Sequence, residues 1–369
     1  MSAPLHRVVG LMSGTSLDGI DAAFVETDGE QRVSTGPSLT RPYDDALRAR
    51  LRAALGGKGA VAEVERALTE AHGEAVRALI AQHSIAGVDL IGFHGHTILH
   101  RPDEGRTWQL GDGALLAGLT GIDVVCDFRS ADVAAGGEGA PFAPLYHAAL
   151  ARGLEKPVAV LNIGGVANVT WIGPGAGDIL AFDTGPGNAP IDDWALAHSG
   201  RPVDLDGALA AAGRADRGFV ERFLAHAFFE RAPPKSLDRD DFAGFVPTGV
   251  SPADGAATLT AMTAAAAARA AEHFPLPARR WLVCGGGRRN PVLMAALASL
   301  VGKPVDPVEA VGWDGDALEA QAFAYLAVRS SLGLPLSLPS TTGVARAMTG
   351  GRLFFAPVDH KSPRWPNRA

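Results

Sequence analysis

The stretch Val8-Val9-Gly10-Leu11-Met12-Ser13-Gly14-Thr15-Ser16-Leu17-Asp18-Gly19-Ile20-Asp21-Ala22-Ala23-Phe24-Val25 decides how the rest of the chain is read. Two short apolar runs flank a turn of Gly, Ser, Thr and Asp, the pattern of a β-hairpin with a long polar tip. Such a tip presents backbone N–H groups and hydroxyls that suit a phosphate, and Asp18 or Asp21 could face a metal ion. Taken alone, the stretch fits equally well a tight hairpin closed by its Asp-Gly turn. No GxxxxGK[ST] occurs in the chain, so a Walker-type loop is excluded.

The layout returns further on. Val158 to Ile163, Gly164-Gly165 and Val166 to Trp171 form a second strand, glycine turn and strand beginning near Lys156-Pro157. A third strand runs into glycines at Trp281-Leu282-Val283-Cys284-Gly285-Gly286-Gly287, with a helical pattern from about Val292. Bare N–H groups at such a helix start suit an anion or nucleotide. The duplication predicts an α/β chain of two related, hairpin-led lobes with a cleft between them, and such clefts are common ligand sites.

Between the hairpins, apolar residues at helical spacing run through 43–83. Val88 to Phe93 reads as a buried strand leading into His94-Gly95-His96-Thr97-Ile98-Leu99-His100, and Ile122 to Cys126 as another leading into Asp127-Phe128-Arg129-Ser130. Polar residues after such strands are where α/β sheets place ligands. A glycine-rich loop, 134–141, precedes a helix around Leu145 to Ala151. A long helical segment is expected from about Ile191 to Arg231 and an alanine-rich helix from about Asp254 to His273. The helix spanning Asp316 to Ala327 has a small face suited to close packing on a neighbouring helix, and the tail from Leu334 reads as a partly ordered strap.

Composition narrows the partner. With 47% hydrophobic residues in 369, the chain supports a globular core, and its formal charge of −7 is spread along the sequence rather than blocked. That pattern argues against nucleic acid and favours a small molecule. Neither a leader-like N-terminus nor an apolar run of about 18 residues is present, so a soluble cytosolic protein without membrane attachment is expected. Cys126 and Cys284 each end an apolar run and read as buried thiols.

Individual candidates each carry two readings. Asp183, at the end of Ile179-Leu180-Ala181-Phe182 and before Thr184-Gly185-Pro186-Gly187-Asn188, is either a general base or a cap for the turn and helix that follow. Arg129 is a clamp for a substrate carboxylate or a surface ion pair, and Glu319 a site carboxylate or a helix-face charge. The HxH of His94 and His96, with His100, lacks further ligands at later strand ends, so loop histidines bonding backbone or substrate are favoured over a metal site. Asn290 stands where GxGxxG would need its last glycine, and the opening hairpin does not match GxSxG, which removes dinucleotide dehydrogenases and serine hydrolases.

In order along the chain, Leu11 to Asp21, His94-Gly95-His96-Thr97, Asp127-Phe128-Arg129, Asn162 to Asn168, Phe182 to Asn188, Pro233-Pro234-Lys235-Ser236 and Cys284 to Gly287 resemble the anhydro-N-acetylmuramic acid kinase family. The likeness extends to Gly350-Gly351-Arg352. It implies the two-lobed fold of the sugar kinase, heat-shock ATPase and actin superfold. It also implies an enzyme of peptidoglycan recycling in the bacterial cytosol. That enzyme, expected to be a homodimer, uses ATP, Mg²⁺ and water to convert 1,6-anhydro-N-acetylmuramic acid to N-acetylmuramic acid 6-phosphate.

By position, the resemblance assigns ATP binding to Gly14, Thr15, Ser16, Leu17, Asp18, Gly19, Ile20 and Asp21, with Gly164, Gly165, Gly285, Gly286 and Gly287 on the nucleotide side. Asp183 is the implied base, His96, Thr97, Arg129, Thr184 and Glu319 the implied sugar contacts, and Asp18 the candidate metal ligand. His96 departs from the glutamine expected in many relatives. The lobes are expected at 1–155 and 156–339, with the 340–369 tail the candidate to complete the first. A conventional sugar kinase, or a non-catalytic nucleotide-gated sugar-binding protein on the same fold, is the alternative function.

Overall fold

A computed structural model describes residues 3–14, 17–239 and 241–357. In chain order the strands are β1 (His6–Ser13), β2 (Gly19–Thr27), β3 (Val33–Pro42), β4 (Leu90–Arg101), β5 (Arg106–Leu110), β6 (Asp123–Cys126), β7 (Val158–Ile163), β8 (Val166–Ile172), β9 (Ile179–Pro186), β10 (Arg280–Cys284), β11 (Val305–Pro307) and β12 (Arg352–Phe354). The α-helices are α1 (Asp45–Ala54), α2 (Val61–Gln82), α3 (Gly113–Thr120), α4 (Ser130–Ala134), α5 (Pro144–Leu150), α6 (Ala189–Ser199), α7 (Ala208–Ala211), α8 (Arg217–Leu224), α9 (Pro252–Arg269), α10 (Pro291–Val301), α11 (Leu318–Ser331) and α12 (Pro339–Thr342).

The chain divides into two compact units, one reaching Arg152 and resuming at Ala317, the other from Gly153 to Asp316. In the first, the sheet order is β12-β6-β4-β1-β2-β3, with β5 paired to β4. In the second it is β11-β10-β7-β8-β9. Each begins with an antiparallel meander, β1-β2-β3 or β7-β8-β9, and continues through two parallel strands beside the first, β4 and β6 or β10 and β11. The duplication expected from the two hairpins is therefore present strand for strand.

Period-two alternation fixes the faces of the first sheet. Val9, Leu11, Ile91 and Phe93 enter a core with Leu51, Leu68, Val76 and Leu79 from α1 and α2. On the opposite face, Gly10 and Gly92 are register partners beneath α11, where a Cβ on either would lie 1.8 or 2.1 Å from a carbonyl oxygen of that helix. The small face of α11 thus packs on a sheet, not on a helix as the sequence suggested. It also moves the unit boundary: α11, expected in the second lobe, belongs to the first, and the break near 155 falls after Arg152.

The second unit buries Leu161, Ile163, Val169, Phe182, Trp281 and Val283 of its sheet against Ala264, Ala267, Leu293 and Leu297 of α9 and α10. A satellite core of Trp194, Phe223, Phe228, Phe229 and Phe242 sits beside it. The continuous helix expected over 191–231 is instead broken into α6, α7 and α8 with single 3₁₀ turns, because Gly200 and Gly207 adopt φ of 70° and 66° and Pro202 lies between them. The tail is ordered further than a loose strap through Phe354: Ser337 and Thr342 hydroxyls both donate to the buried Asp132 carboxylate, and β12 adds an antiparallel edge to β6. His94 to His100 lie within β4, which runs past the polar residues because β5 pairs with its second half.

Candidate active site

The tip of the β1–β2 hairpin is held from below and from the side. Leu17 sits at φ 58°, a left-handed conformation uncommon for leucine, and its N–H donates to Gly14 O at 3.2 Å. Arg48 donates to Leu17 O at 3.0 Å, Tyr43 N–H to Asp18 O at 3.1 Å, and Gly19 N–H to the Asp18 carboxylate at 2.9 Å. Asp21 accepts from Thr40 Oγ1 at 2.6 Å. Leu17 and Ile20 bury their side chains, so their contribution to a ligand is confined to the backbone. Thr15 and Ser16 lie outside the described residues.

Under the tip runs a buried polar chain. Tyr43 OH donates to Ser13 Oγ at 2.7 Å, and Ser13 Oγ meets His96 Nδ1 at 3.0 Å. Burial raises the phenol's pKa, with Asp18 and Asp21 adding to the effect against the Ser13 bond, so Tyr43 remains a donor. Burial pulls His96 down to about 4 against a hydrogen bond with the Ser13 backbone, so the ring is neutral at pH 7. Its Nε2 is buried without a partner among the described residues. With the ring 0% exposed, His96 presents no surface to a sugar here and bears on the hairpin through Ser13 instead.

A second grouping in the same unit surrounds Arg129. Its Nε donates to His94 Nε2 at 3.0 Å and its Nη1 to Gly139 O at 2.6 Å, while the guanidinium lies over the rings of Phe142 and Phe323. His94 donates its Nδ1 hydrogen to Gly95 O, and its pKa is driven well below the usual value by desolvation and then by Arg129. The guanidinium is thus oriented by a neutral imidazole, not neutralised by a carboxylate at that contact. Asp127, two residues earlier, adopts φ 57°. Glu319 reaches solvent from the first turn of α11, yet the protein around it desolvates the carboxylate and raises its pKa; Arg129 opposes the rise and Asp18 adds to it. Thr97 is half-buried and accepts from Gln109 at 3.3 Å.

In the second unit the expected glycines converge. Gly187 and Asn188 donate their N–H groups to Gly165 O and Gly164 O at 2.9 and 2.7 Å, and Asn188 Nδ2 donates to Ile163 O at 2.9 Å. Gly285, at φ 72°, lies so close to Asn162 and Ile163 that a Cβ would come within 2.4 Å of the Asn162 side-chain oxygen. Arg288 caps this run by donating to Gly285 O at 2.9 Å while paired with Glu309 and Asp316. The Gly164-Gly165 turn is thus tied by backbone bonds to Gly187 and Asn188, and Gly285 to Gly287 pack against the side chains of Asn162, Ile163 and Asn188, with Gly286 exposed and Gly287 buried.

Asp183 lies on β9 and is 6% exposed. Its N–H donates to Lys235 O at 2.9 Å, and its Oδ2 accepts from Leu237 N–H at 2.8 Å. The N-cap of α6 is Asn188, so Asp183 does not cap that helix. Thr184 next to it donates to Ala167 O at 3.2 Å across the β8–β9 pair. Sequence reasoning did not single out Tyr43, Ser13, Asn188, Arg288 or the role of Lys235. The signal for Asn188 and Lys235 lay in the motifs themselves, in Gly-Pro-Gly-Asn and in a lysine that directly follows two prolines after the aromatic-rich stretch Phe219 to Phe229.

A family model described as anhydro-N-acetylmuramic acid kinase matches residues 6–356. Proteins named anhydro-N-acetylmuramic acid kinase from three bacteria are similar over nearly their whole length. That of Paramagnetospirillum magneticum is 62% identical over 349 residues, covering 93% of this chain and 98% of that protein. That of Rhodospirillum rubrum is 58% identical over 353 residues, 94% of each. That of Acidiphilium cryptum is 57% identical over 357 residues, 94% of this chain and 98% of that protein.

Proposed function

The chain belongs to the anhydro-N-acetylmuramic acid kinase family, and from that premise we propose how its residues divide the reaction. It is an ATP-dependent kinase that opens the 1,6-anhydro ring of anhydro-N-acetylmuramic acid with water and phosphorylates the freed oxygen, giving N-acetylmuramic acid 6-phosphate and ADP. Asp183 is the base. It takes a proton from water as the water oxygen bonds to the anomeric carbon; the bond from that carbon to O6 breaks, and O6 takes the electron pair. O6 then bonds to the γ-phosphorus while the bridging bond to ADP breaks.

The hairpin backbone from Gly14 to Asp21, Thr15 and Ser16 included, holds the β- and γ-phosphates. The Gly164, Gly165 and Gly285 to Gly287 backbone takes the rest of the nucleotide, with Gly286 the exposed member of the set. Phosphoryl transfer is mainly positioning and charge stabilisation, which rigid backbone donors supply without reorganising. The bonds that fix the tip, from Arg48, Tyr43 and Asp18, support this use of it. Asp18 and Asp21 are the hairpin's carboxylates and offer the hard oxygen donors Mg²⁺ prefers, with Asp18 the more exposed. When bound, the ion neutralises charge on the phosphates.

Arg129 receives the lactyl carboxylate, and Thr97 and Glu319 contact the sugar. His96 acts through Ser13, and Thr184 through the strand that carries Asp183. A cytosolic homodimer serving peptidoglycan recycling completes the proposal by membership of the family; among the described residues no helix is long and apolar enough to cross a membrane.

The observation that carries the catalytic assignment is the Asp183 carboxylate, buried and oriented by the Leu237 backbone N–H. The test couples ADP release to the anhydro sugar in wild type and Asp183→Asn. Sugar-dependent ADP matched by sugar phosphate, lost in the variant, supports it. ADP without sugar phosphate, or an unimpaired variant, overturns it.

A further inference from the structure

Lys235 is 2% exposed, and a lysine this buried is rare unless paired. Among the described residues its partners are not carboxylates. Its Nζ donates to Phe228 O at 3.0 Å, reaches His273 Nε2 at 3.4 Å, and lies 4.6 and 5.7 Å from the ring centroids of Phe228 and Phe182. Phe182 precedes Asp183 on β9. The ammonium is therefore held by dipoles and π-faces at a site where an apolar side chain of similar length would satisfy the aromatic packing at less desolvation cost.

What the lysine holds is the segment it belongs to. The backbone of 235–237 supplies two bonds to Asp183: Lys235 O accepts from Asp183 N–H at 2.9 Å, and Leu237 N–H donates to Asp183 Oδ2 at 2.8 Å. One bond fixes the strand and the other fixes the carboxylate. We propose that Lys235 is a positioning residue for the Asp183 base, its buried ammonium pinning the 235–237 backbone so that the carboxylate is kept in one orientation toward water. This rests on the reading of Asp183 as the base.

The setting also makes the pin titratable. Burial first, then the charges of Arg231 and Arg269, pull Lys235 down to about 8, with Glu272 opposing. His273, which faces the ammonium from the 3₁₀ turn Ala270–His273 after α9, is itself held below its usual value by burial, so its Nε2 is an acceptor. On the alkaline side of neutrality the ammonium loses its proton and the pin weakens.

The experiment compares Lys235→Met, Lys235→Arg, Asp183→Asn and the Lys235→Met/Asp183→Asn double variant by steady-state kinetics across pH 6 to 10. A reacting group displaced by about 1 Å can cost on the order of 10²-fold. Lys235→Met is expected to lose kcat on that order with KM for ATP and sugar within about twofold of wild type, and the double variant to be no slower than Asp183→Asn alone. The wild-type fall in kcat above about pH 8 should be absent in Lys235→Met and move to higher pH in Lys235→Arg. The proposal fails if Lys235→Met keeps its kcat, if its loss multiplies with that of Asp183→Asn, or if Lys235→Arg leaves the alkaline limb where it was. Should Lys235→Met not fold, the Lys235→Arg limb decides alone. A fast Asp183→Asn variant would instead show that the base assignment itself is at fault.

Discussion

Gly10 and Gly92 face one another in the parallel β1–β4 ladder, and the carbonyl oxygens of Ala320 and Phe323 in α11 stand where their Cβ atoms would be. The neighbours are backbone and cannot rotate away. Gly10→Ala must therefore lift α11 from the sheet, at a cost of about 1–3 kcal/mol or more, typical of overpacking. Thermal and urea denaturation are expected to show a lowered midpoint for Gly10→Ala and a lower one for Gly92→Val. An unchanged midpoint would mean that α11 does not sit this close.

Asp183→Asn keeps the shape of the side chain and an acceptor oxygen for Leu237 N–H, so the fold is expected to be unaffected. The loss of a positioned base is worth about 10²–10⁴ in kcat. Near-normal turnover in a folded variant would remove Asp183 from the mechanism.

The guanidinium of Arg129 is aimed by His94 and by Gly139 O, and a charge-assisted bond from it to a carboxylate is worth about 1.5–3 kcal/mol. Arg129→Met should raise KM for the anhydromuramic sugar by about 10- to 100-fold. The decisive comparison is an anhydro sugar lacking the lactyl group, for which wild type and variant should be alike. An equal penalty on both sugars would assign Arg129 to structure instead.

Three buried imidazoles set an acid limit on stability. Burial lowers His72 and His96 to about 4 and His147 to about 3, against an unfolded value of 6.5. Folded pKa values below the unfolded one mean that the unfolded chain binds more protons as pH falls from 6.5 toward 4. Stability is thus complete above 6.5 and lost through that window, each group contributing up to about 1.4 kcal/mol per pH unit. Urea titrations of His147→Leu should show a shallower pH slope between pH 4 and 6.5 than wild type; an identical slope would contradict the buried neutral ring.

Much of this was legible in the chain. The hairpins at Val8 to Val25 and Val158 to Trp171 announce themselves by apolar alternation around glycine turns, and the duplicated sheet follows from them. The convergence of Gly164, Gly165 and Gly285 was readable as type, since only glycines leave backbone bare. What could not be read was distance along the chain. The assignment of α11 to the first unit depends on Gly10 and Gly92 being register partners, which local patterning does not encode. Likewise Tyr43 and Ser13 are 30 residues apart, and nothing in either segment signals their bond. The broken helix after Ser199 was the opposite case: the signals were there, in Gly200, Pro202 and Gly207, but the apolar periodicity across them outweighed the punctuation.

Whether one active site both adds water and transfers phosphoryl is decided by running the reaction in ¹⁸O-water with the anhydro sugar and ATP. The product should be read before the anomeric oxygen exchanges with solvent. One labelled oxygen is expected on the anomeric carbon and none in the phosphate of N-acetylmuramic acid 6-phosphate. Label in phosphate, or a phosphorylated sugar with its anhydro ring intact and unlabelled, would contradict it.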